Sequence, residues 1–158
     1  MGYDYTFVES PGDIDRADKL LFPGVGAFAS AMETLRSRGY DEPLRQYIVD
    51  DRPFLGICIG LQSLFEGSEE NPGVRGLGVL PGAIERFDVR SGCSVPHMGW
   101  NTVEAARSSV LLRGVDAADP DLTDERFYFV HSFRKSADDA QADDHVLATT
   151  EYGDQTFV

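Results

Sequence analysis

Residues 54–62 read Phe54-Leu55-Gly56-Ile57-Cys58-Ile59-Gly60-Leu61-Gln62. An apolar run stops at a thiol placed between two glycines, and a helical pattern follows. This reads as a buried strand over Phe54–Ile57, a tight turn at Cys58 and a helix over Ile59–Phe65. Gly-x-Cys-x-Gly in that setting is the thiol form of a nucleophile elbow. The glycines have a steric task, because side chains two positions either side of the nucleophile collide in so sharp a turn. A thiol raised at a helix N-terminus is favoured as thiolate and lies near free N–H donors. The competing reading is a buried, unreactive cysteine at a Gly-rich strand end.

Working outward, strand and helix signals alternate, which gives an α/β class with a mainly parallel sheet. Tyr5–Val8 reads as a strand closed by Ser10-Pro11-Gly12, and Lys19–Phe22 as another ended by Pro23-Gly24. Phe28, Met32 and Leu35 recur at helical spacing, with Gly39 where a C-terminal cap belongs. Asp41 is placed to cap a further helix that carries Pro43, Leu44, Tyr47 and Ile48. Gly67–Gly76 reads as an acidic loop. Beyond it the pattern is richer in strands: Val79–Leu80, Ala83–Phe87, Arg126–Val130, His145–Thr149 and Thr156–Val158, with an acidic connection over Asp138–Asp144. No repeat, linker or boundary divides the 158 residues, so a single domain is expected.

Composition narrows the function classes. Twenty-seven acids against 14 bases give a net charge of −13, and Lys19 and Lys135 are the only lysines. Such a surface repels nucleic acid and anionic membranes. Seventeen aspartates beside so few lysines also suit solubility in high salt, where screening relieves self-repulsion. No apolar stretch reaches the ~18 residues of a membrane span, and no secretory leader opens the chain. Cys58 and Cys93 form no Cys-x-x-Cys pattern, so neither a metal site nor a disulfide framework is indicated. A reducing cytoplasm is the expected compartment.

Several further residues bear on chemistry. Pro23-Gly24-Val25-Gly26, with Ala29, matches Gly-x-Gly-x-x-Ala, a dinucleotide-like fingerprint. The next strand ends at Cys58 rather than at the acidic residue that fingerprint requires. A loop whose backbone N–H groups face the thiol is the better reading. His131, ending a strand, is a candidate base for Cys58, with a structural imidazole as the alternative. His97 lies in an unusual Pro96-His97-Met98-Gly99-Trp100-Asn101 loop. His145 and Cys93 read as ordinary surface or loop residues.

Taken together, Pro23-Gly24-Val25-Gly26, the Cys58 elbow and the Glu69-Glu70 loop resemble class I glutamine amidotransferases. Pro96–Asn101, Phe129-Val130-His131-Ser132-Phe133 and Thr149-Thr150-Glu151-Tyr152-Gly153 are similar to one family within that class, the glutaminase subunits of imidazole glycerol phosphate synthases in histidine biosynthesis. The resemblance runs nearly end to end. It implies a flavodoxin-like fold in which Cys58 attacks the side-chain amide of glutamine, forms a thioester and releases ammonia. It implies an oxyanion hole from Val25 or Gly26 and Ile59, and a glutamine site from Gln62, Glu70, Val130 and Ser132. His97, Met98, Trp100 and Asn101 would face a cyclase (β/α)8-barrel subunit that receives the ammonia. Neither metal nor organic cofactor is implied.

Two departures qualify it. The family's base is a His two residues before a Glu in a Gln-Phe-His-Pro-Glu motif, which these residues do not contain, and His131 falls on a different family position. The family also begins with a strand and helix that would precede Met1. The expectation is a fragment lacking the first strand and helix and the C-terminal strands and helix, inactive alone. The alternatives are a Cys hydrolase of this fold using His131, and a non-catalytic docking fragment.

Overall fold

The computed structural model describes residues 2, 4–112, 126–137 and 144–158. They form two compact units, residues 1–83 and 84–158. Most of the acidic connection 138–144 lies outside the described residues.

In the first unit, strands β1 (Leu20–Gly24) and β2 (Phe54–Cys58) pair in parallel, with Phe22 opposite Gly56 and Gly24 opposite Cys58. Helix α1 (Pro11–Arg16) precedes them, and α2 (Phe28–Ser37) and α3 (Asp41–Val49) connect them. Of the residues expected at helical spacing, Phe28, Met32, Leu35, Leu44 and Tyr47 are buried and join Ile14, Ile59, Leu64 and Leu77 in one cluster, while Ile48 is half-buried and packs against it. Leu20, Phe22 and Phe54 pack against it from the inner sheet face. The opposite sheet face leaves Leu21, Leu55 and Ile57 exposed.

The ends of these helices follow from their sequences. Gly39 adopts φ 67° and ends α2 in a Schellman arrangement, in which the Tyr40 N–H donates to the Leu35 carbonyl (2.8 Å) and the Gly39 N–H to that of Arg36 (3.0 Å). Asp41 is the first residue of α3 rather than its cap. Tyr40 takes the cap position without a side-chain bond, while Asp41 and Glu42 place charge in the first turn, where the helix dipole favours it. Ser10-Pro11-Gly12, read above as a turn, starts α1 instead. Pro11 occupies the first turn and the Ser10 N–H donates to Asp13 Oδ2 (2.7 Å), so two helix-start signals were overlooked.

Two strand expectations fail here for want of a partner, and one helix is shorter than expected. Among the described residues Tyr5–Val8 pairs with no strand; Tyr5 and Phe7 are 78% and 79% exposed and stack edge-on against each other. Val79–Leu80 forms a bend, its N–H groups donating to the Leu64 carbonyl. The helix after Cys58 is short: α4 covers Ile59–Gln62, and turns carry the chain onward. Strand β3 (Gly67–Ser68) opens the acidic loop.

Strand β4 (Ala83–Arg86) leads into the second unit, whose described pairings are all antiparallel. The supposed Pro96–Asn101 loop is largely strand β5 (His97–Asn101), held in five-residue register against β7 (Phe127–His131). Strands β6 (Glu104–Ala105), β8 (Phe133–Arg134), β9 (Ala148–Tyr152) and β10 (Gln155–Phe157) complete the unit. His145 stands in the turn before β9 rather than beginning the strand. Ile84, Phe87, Val146 and Phe157 are buried here.

Candidate functional site

Cys58 ends β2 and caps α4 with φ 53° and ψ −112°. A positive φ at a residue with a Cβ is a sparsely populated, strained conformation that surrounding structure must enforce. The glycines enforce it. A Cβ on Gly56 would lie 2.8 Å from both the Gly60 carbonyl carbon and the Leu61 nitrogen. One on Gly60 would strike the Phe22 carbonyl oxygen of β1. Only glycine at both positions lets α4 fold back against the sheet, and the turn leaves Cys58 exposed.

The parallel register sets Gly24 beside Cys58, so the loop after β1 and the thiol share the C-terminal end of the strand pair. That is where ligand sites lie in open α/β sheets. A Cβ on Gly24 would meet Ile59 Cγ2 at 2.6 Å, so the loop comes this close to the elbow only with glycine there. Val25 is 93% exposed and Gly26 holds φ 127°, open to solvent around it. The loop ends at Ala27, which caps α2 and offers no side-chain acceptor.

The acceptors come from 42 residues away. The Phe28 N–H donates to Glu70 Oε2 (2.8 Å) and the Ala29 N–H to Asn71 Oδ1 (2.9 Å). Glu70 was expected at a substrate ammonium group; the structure also gives it a bond to the helix that carries the loop. Asn71 was passed over in the sequence. The signal available was negative: α2 begins after Gly26-Ala27 with no Ser, Thr, Asp or Asn at its cap, so its first N–H groups needed partners elsewhere. Gln62, the last residue of α4, is half-buried.

In the second unit, the β5–β7 ribbon divides the expected residues between two faces. Met98 and Trp100 are each 61% exposed, opposite Val130 and Tyr128, which are also exposed. These four make one apolar face. His97 points the other way and is 1% exposed, stacked on Tyr152 with ring centroids 4.0 Å apart. Asn101 is half-buried and donates to the Glu151 carbonyl (2.6 Å). Ser132 follows β7, and its carbonyl accepts the Phe87 N–H (3.2 Å).

His131 uses both ring nitrogens within this unit. Nδ1 lies 2.9 Å from the Phe133 carbonyl and Nε2 3.4 Å from His97 Nδ1. A carbonyl only accepts, so Nδ1 of His131 carries the hydrogen; its neutral Nε2 then accepts, and His97 Nδ1 donates. Burial pushes both imidazoles below their ordinary value. The Phe133 bond partly offsets this at His131, and the nearness of His97 adds to it. The pair is a neutral relay inside an aromatic cluster of Phe87, Phe129, Tyr152 and Phe157. Cys93 is a loop thiol, its sulfur against Gly153. Among the described residues no group of His, Cys, Asp and Glu could hold a metal ion.

An elbow thiol, a glycine loop at the same strand ends and a mixed α/β fold together define a class. Residues 3–98 match the family of CobB/CobQ-like glutamine amidotransferase domains. A solved glutamine amidotransferase shares the fold with a TM-score of 0.56 over 83% of this chain and 59% of that one, at 17% identity. The class is that of the glutamine amidotransferases.

Relatives narrow it further. The chain is 40% identical to imidazole glycerol phosphate synthase subunit HisH of Syntrophotalea carbinolica, over 99% of its own length and 74% of the relative's. It is 44% identical to the HisH subunit of Methanothermobacter thermautotrophicus, over 97% and 70%. It is 47% identical to the chloroplastic imidazole glycerol phosphate synthase hisHF of Arabidopsis thaliana, over 98% of this chain and only 25% of that protein. The chain belongs to the HisH family of imidazole glycerol phosphate synthase subunits, and spans about a quarter of the length of its hisHF relatives.

Proposed function

We propose that this chain carries the nucleophile and much of the glutamine site of a glutaminase that feeds ammonia to a cyclase. The Cys58 thiolate adds to the side-chain amide carbon of glutamine, and the carbonyl π electrons move onto oxygen. Backbone N–H groups of Val25 or Gly26 and of Ile59 hold that oxyanion, a term worth about 3–4 kcal/mol per donor where measured. Collapse breaks the C–N bond; the leaving nitrogen takes the proton that the general base had drawn from the thiol and departs as ammonia, leaving a thioester. Water then releases glutamate and restores the thiol. In the first unit Gln62 and Glu70 hold the substrate, Glu70 opposite its α-ammonium group.

The observation that carries this reading is the positive φ of Cys58, enforced by glycines and set beside Gly24. A merely structural cysteine needs no such conformation. His131 is not the base in this reading, since both its nitrogens are engaged by Phe133 and His97. The base is the His–Glu pair of the family's His-Pro-Glu motif, absent from these residues, so the chain alone turns glutamine over negligibly. The exposed Met98–Trp100 face docks on the cyclase barrel, and hisHF relatives, whose names join the two functions in one protein, support such a partner. The compartment proposed is the cytoplasm.

The test is synthase activity of the chain extended through the His-Pro-Glu motif and reconstituted with a cyclase subunit. Cys58→Ala is expected to abolish glutamine-dependent turnover while sparing turnover fed by ammonium salts. Loss of both, or of neither, removes Cys58 as the glutaminase nucleophile.

A further inference from the structure

The loop at residues 24–27 has a weakness that its neighbours do not share. Val25 is exposed, the space a side chain on Gly26 would fill is empty, and Ala27 brings no capping side chain to α2. A flexible loop is a poor oxyanion donor, because donors act in proportion to how firmly they are aimed before the charge develops. Helix α2 is well anchored, since Phe28 and Met32 are fully buried. The loop's aim therefore depends on how its last residues join the first turn of α2.

That junction is held by two side chains from one turn. Asn71 Oδ1 takes the Ala29 N–H and Glu70 Oε2 takes the Phe28 N–H. The turn is itself closed by the Glu70 N–H on Ser68 Oγ (3.2 Å), the Asn71 N–H on the Ser68 carbonyl (3.2 Å) and the Val74 N–H on the Asn71 carbonyl (3.1 Å). Ser68 is buried. The acceptors thus sit on a pinned turn, rather than on free side chains that happen to reach the helix.

We propose that Asn71 is a positioning residue for the oxyanion loop: with Glu70 it clamps the first two N–H groups of α2 and so fixes residues 24–27 against Cys58. The clamp rests on the reading of Val25 or Gly26 as the oxyanion donor. It gives Glu70 two tasks through two oxygens, Oε2 on the helix and Oε1 toward the substrate ammonium. Asn71 is what keeps the helix end in place when the ammonium draws on the same carboxylate. A substrate lacking the α-ammonium group would leave that coupling unused.

The experiment uses this chain with Asn71→Ala and Asn71→Asp, the second keeping an acceptor oxygen at the same place. Hydrogen exchange reads the clamp directly: Ala29 amide protection is expected to fall roughly 3- to 10-fold in Asn71→Ala and to return in Asn71→Asp, the scale of one hydrogen bond. The second readout is the rate at which Cys58 is alkylated by a chloromethyl-ketone analogue of glutamine, in which sulfur displaces chloride beside a polarised carbonyl, against the rate with iodoacetamide. A selective slowing with the analogue in Asn71→Ala, rescued in Asn71→Asp, supports the proposal. Unchanged Ala29 protection overturns the clamp. Lost protection with both alkylation rates unchanged makes Asn71 a helix cap only and overturns its role toward the loop. If the unsubstituted chain shows no preference for the analogue, while iodoacetamide still reacts, the glutamine-site reading fails and the exchange result still decides the clamp.

Discussion

Gly60→Ala isolates the steric demand that shapes the elbow. Helix propensity alone would favour alanine by ~1 kcal/mol, since Gly60 lies inside α4. The structure reverses the sign. The added methyl would land on the Phe22 carbonyl oxygen, 2.9 Å from its carbon and 3.1 Å from Phe22 Cγ. Neither neighbour can rotate away, because the carbonyl belongs to the middle of β1, where Phe22 pairs with Gly56. Overpacking of this kind costs typically ~1–3 kcal/mol. Each ladder bond between β1 and β2 lost to the required shift adds ~0.5–1.5 kcal/mol. With overpacking at ~2–3 kcal/mol and two ladder bonds lost at ~1 kcal/mol each, the expected total is ~3–4 kcal/mol after the ~1 kcal/mol propensity gain is deducted, a large part of the ~5–15 kcal/mol that holds a domain together. Gly78→Ala is the control: its φ of 61° carries strain, but its Cβ meets nothing within 4 Å. That substitution should cost ~1–2 kcal/mol. Urea unfolding followed by far-ultraviolet circular dichroism compares the two, with Cys58 alkylation by iodoacetamide alongside. Midpoints for the two variants that agree within the scatter, with Cys58 reactivity unchanged in Gly60→Ala, would refute the argument that the glycines enforce the turn.

Other consequences follow from single residues. Asp51 holds φ 56° just past α3, a conformation glycine adopts without strain, so Asp51→Gly should raise stability by ~0.5–1 kcal/mol in the same unfolding assay. His97 and His131 have folded values below the ordinary imidazole value, so below pH ~6.5 the unfolded chain binds more protons than the folded one. Their contribution is complete above that pH and is lost as pH falls through it; melting temperatures from pH 8 to 5 should drop less steeply in His97→Phe than in the unsubstituted chain. Leu21 and Leu55 face each other on the exposed side of β1–β2, 60% and 49% exposed. Replacing both with Lys should lower binding of an apolar fluorescent dye while shifting the unfolding midpoint little, since neither residue packs into the core cluster.

The division between sequence and tertiary structure follows the range of the forces involved. Short-range steric and periodic signals were legible: the elbow at Gly56-Ile57-Cys58-Ile59-Gly60, the buried positions of α2 and α3, and the αL glycine at Gly39 all appear as read. A glycine forced by backbone contact or a face forced by a 3.6-residue period is encoded within a few positions, so no partner has to be known. Features that depend on distant partners were not legible. Tyr5–Val8 has strand composition but finds no strand to pair with among the described residues, whereas His97–Asn101, with glycine in its middle, becomes a strand because β7 supplies a full ladder. The same ribbon decides that Met98 and Trp100 face outward while His97 is buried, a two-residue alternation that means nothing until one face is covered. His131 could be weighed as a base from sequence; only the approach of His97 and the Phe133 carbonyl showed both its nitrogens engaged. The Glu70–Asn71 turn joins α2 across 42 residues, and no local pattern announces a hydrogen bond whose acceptor is brought in by the packing of another loop.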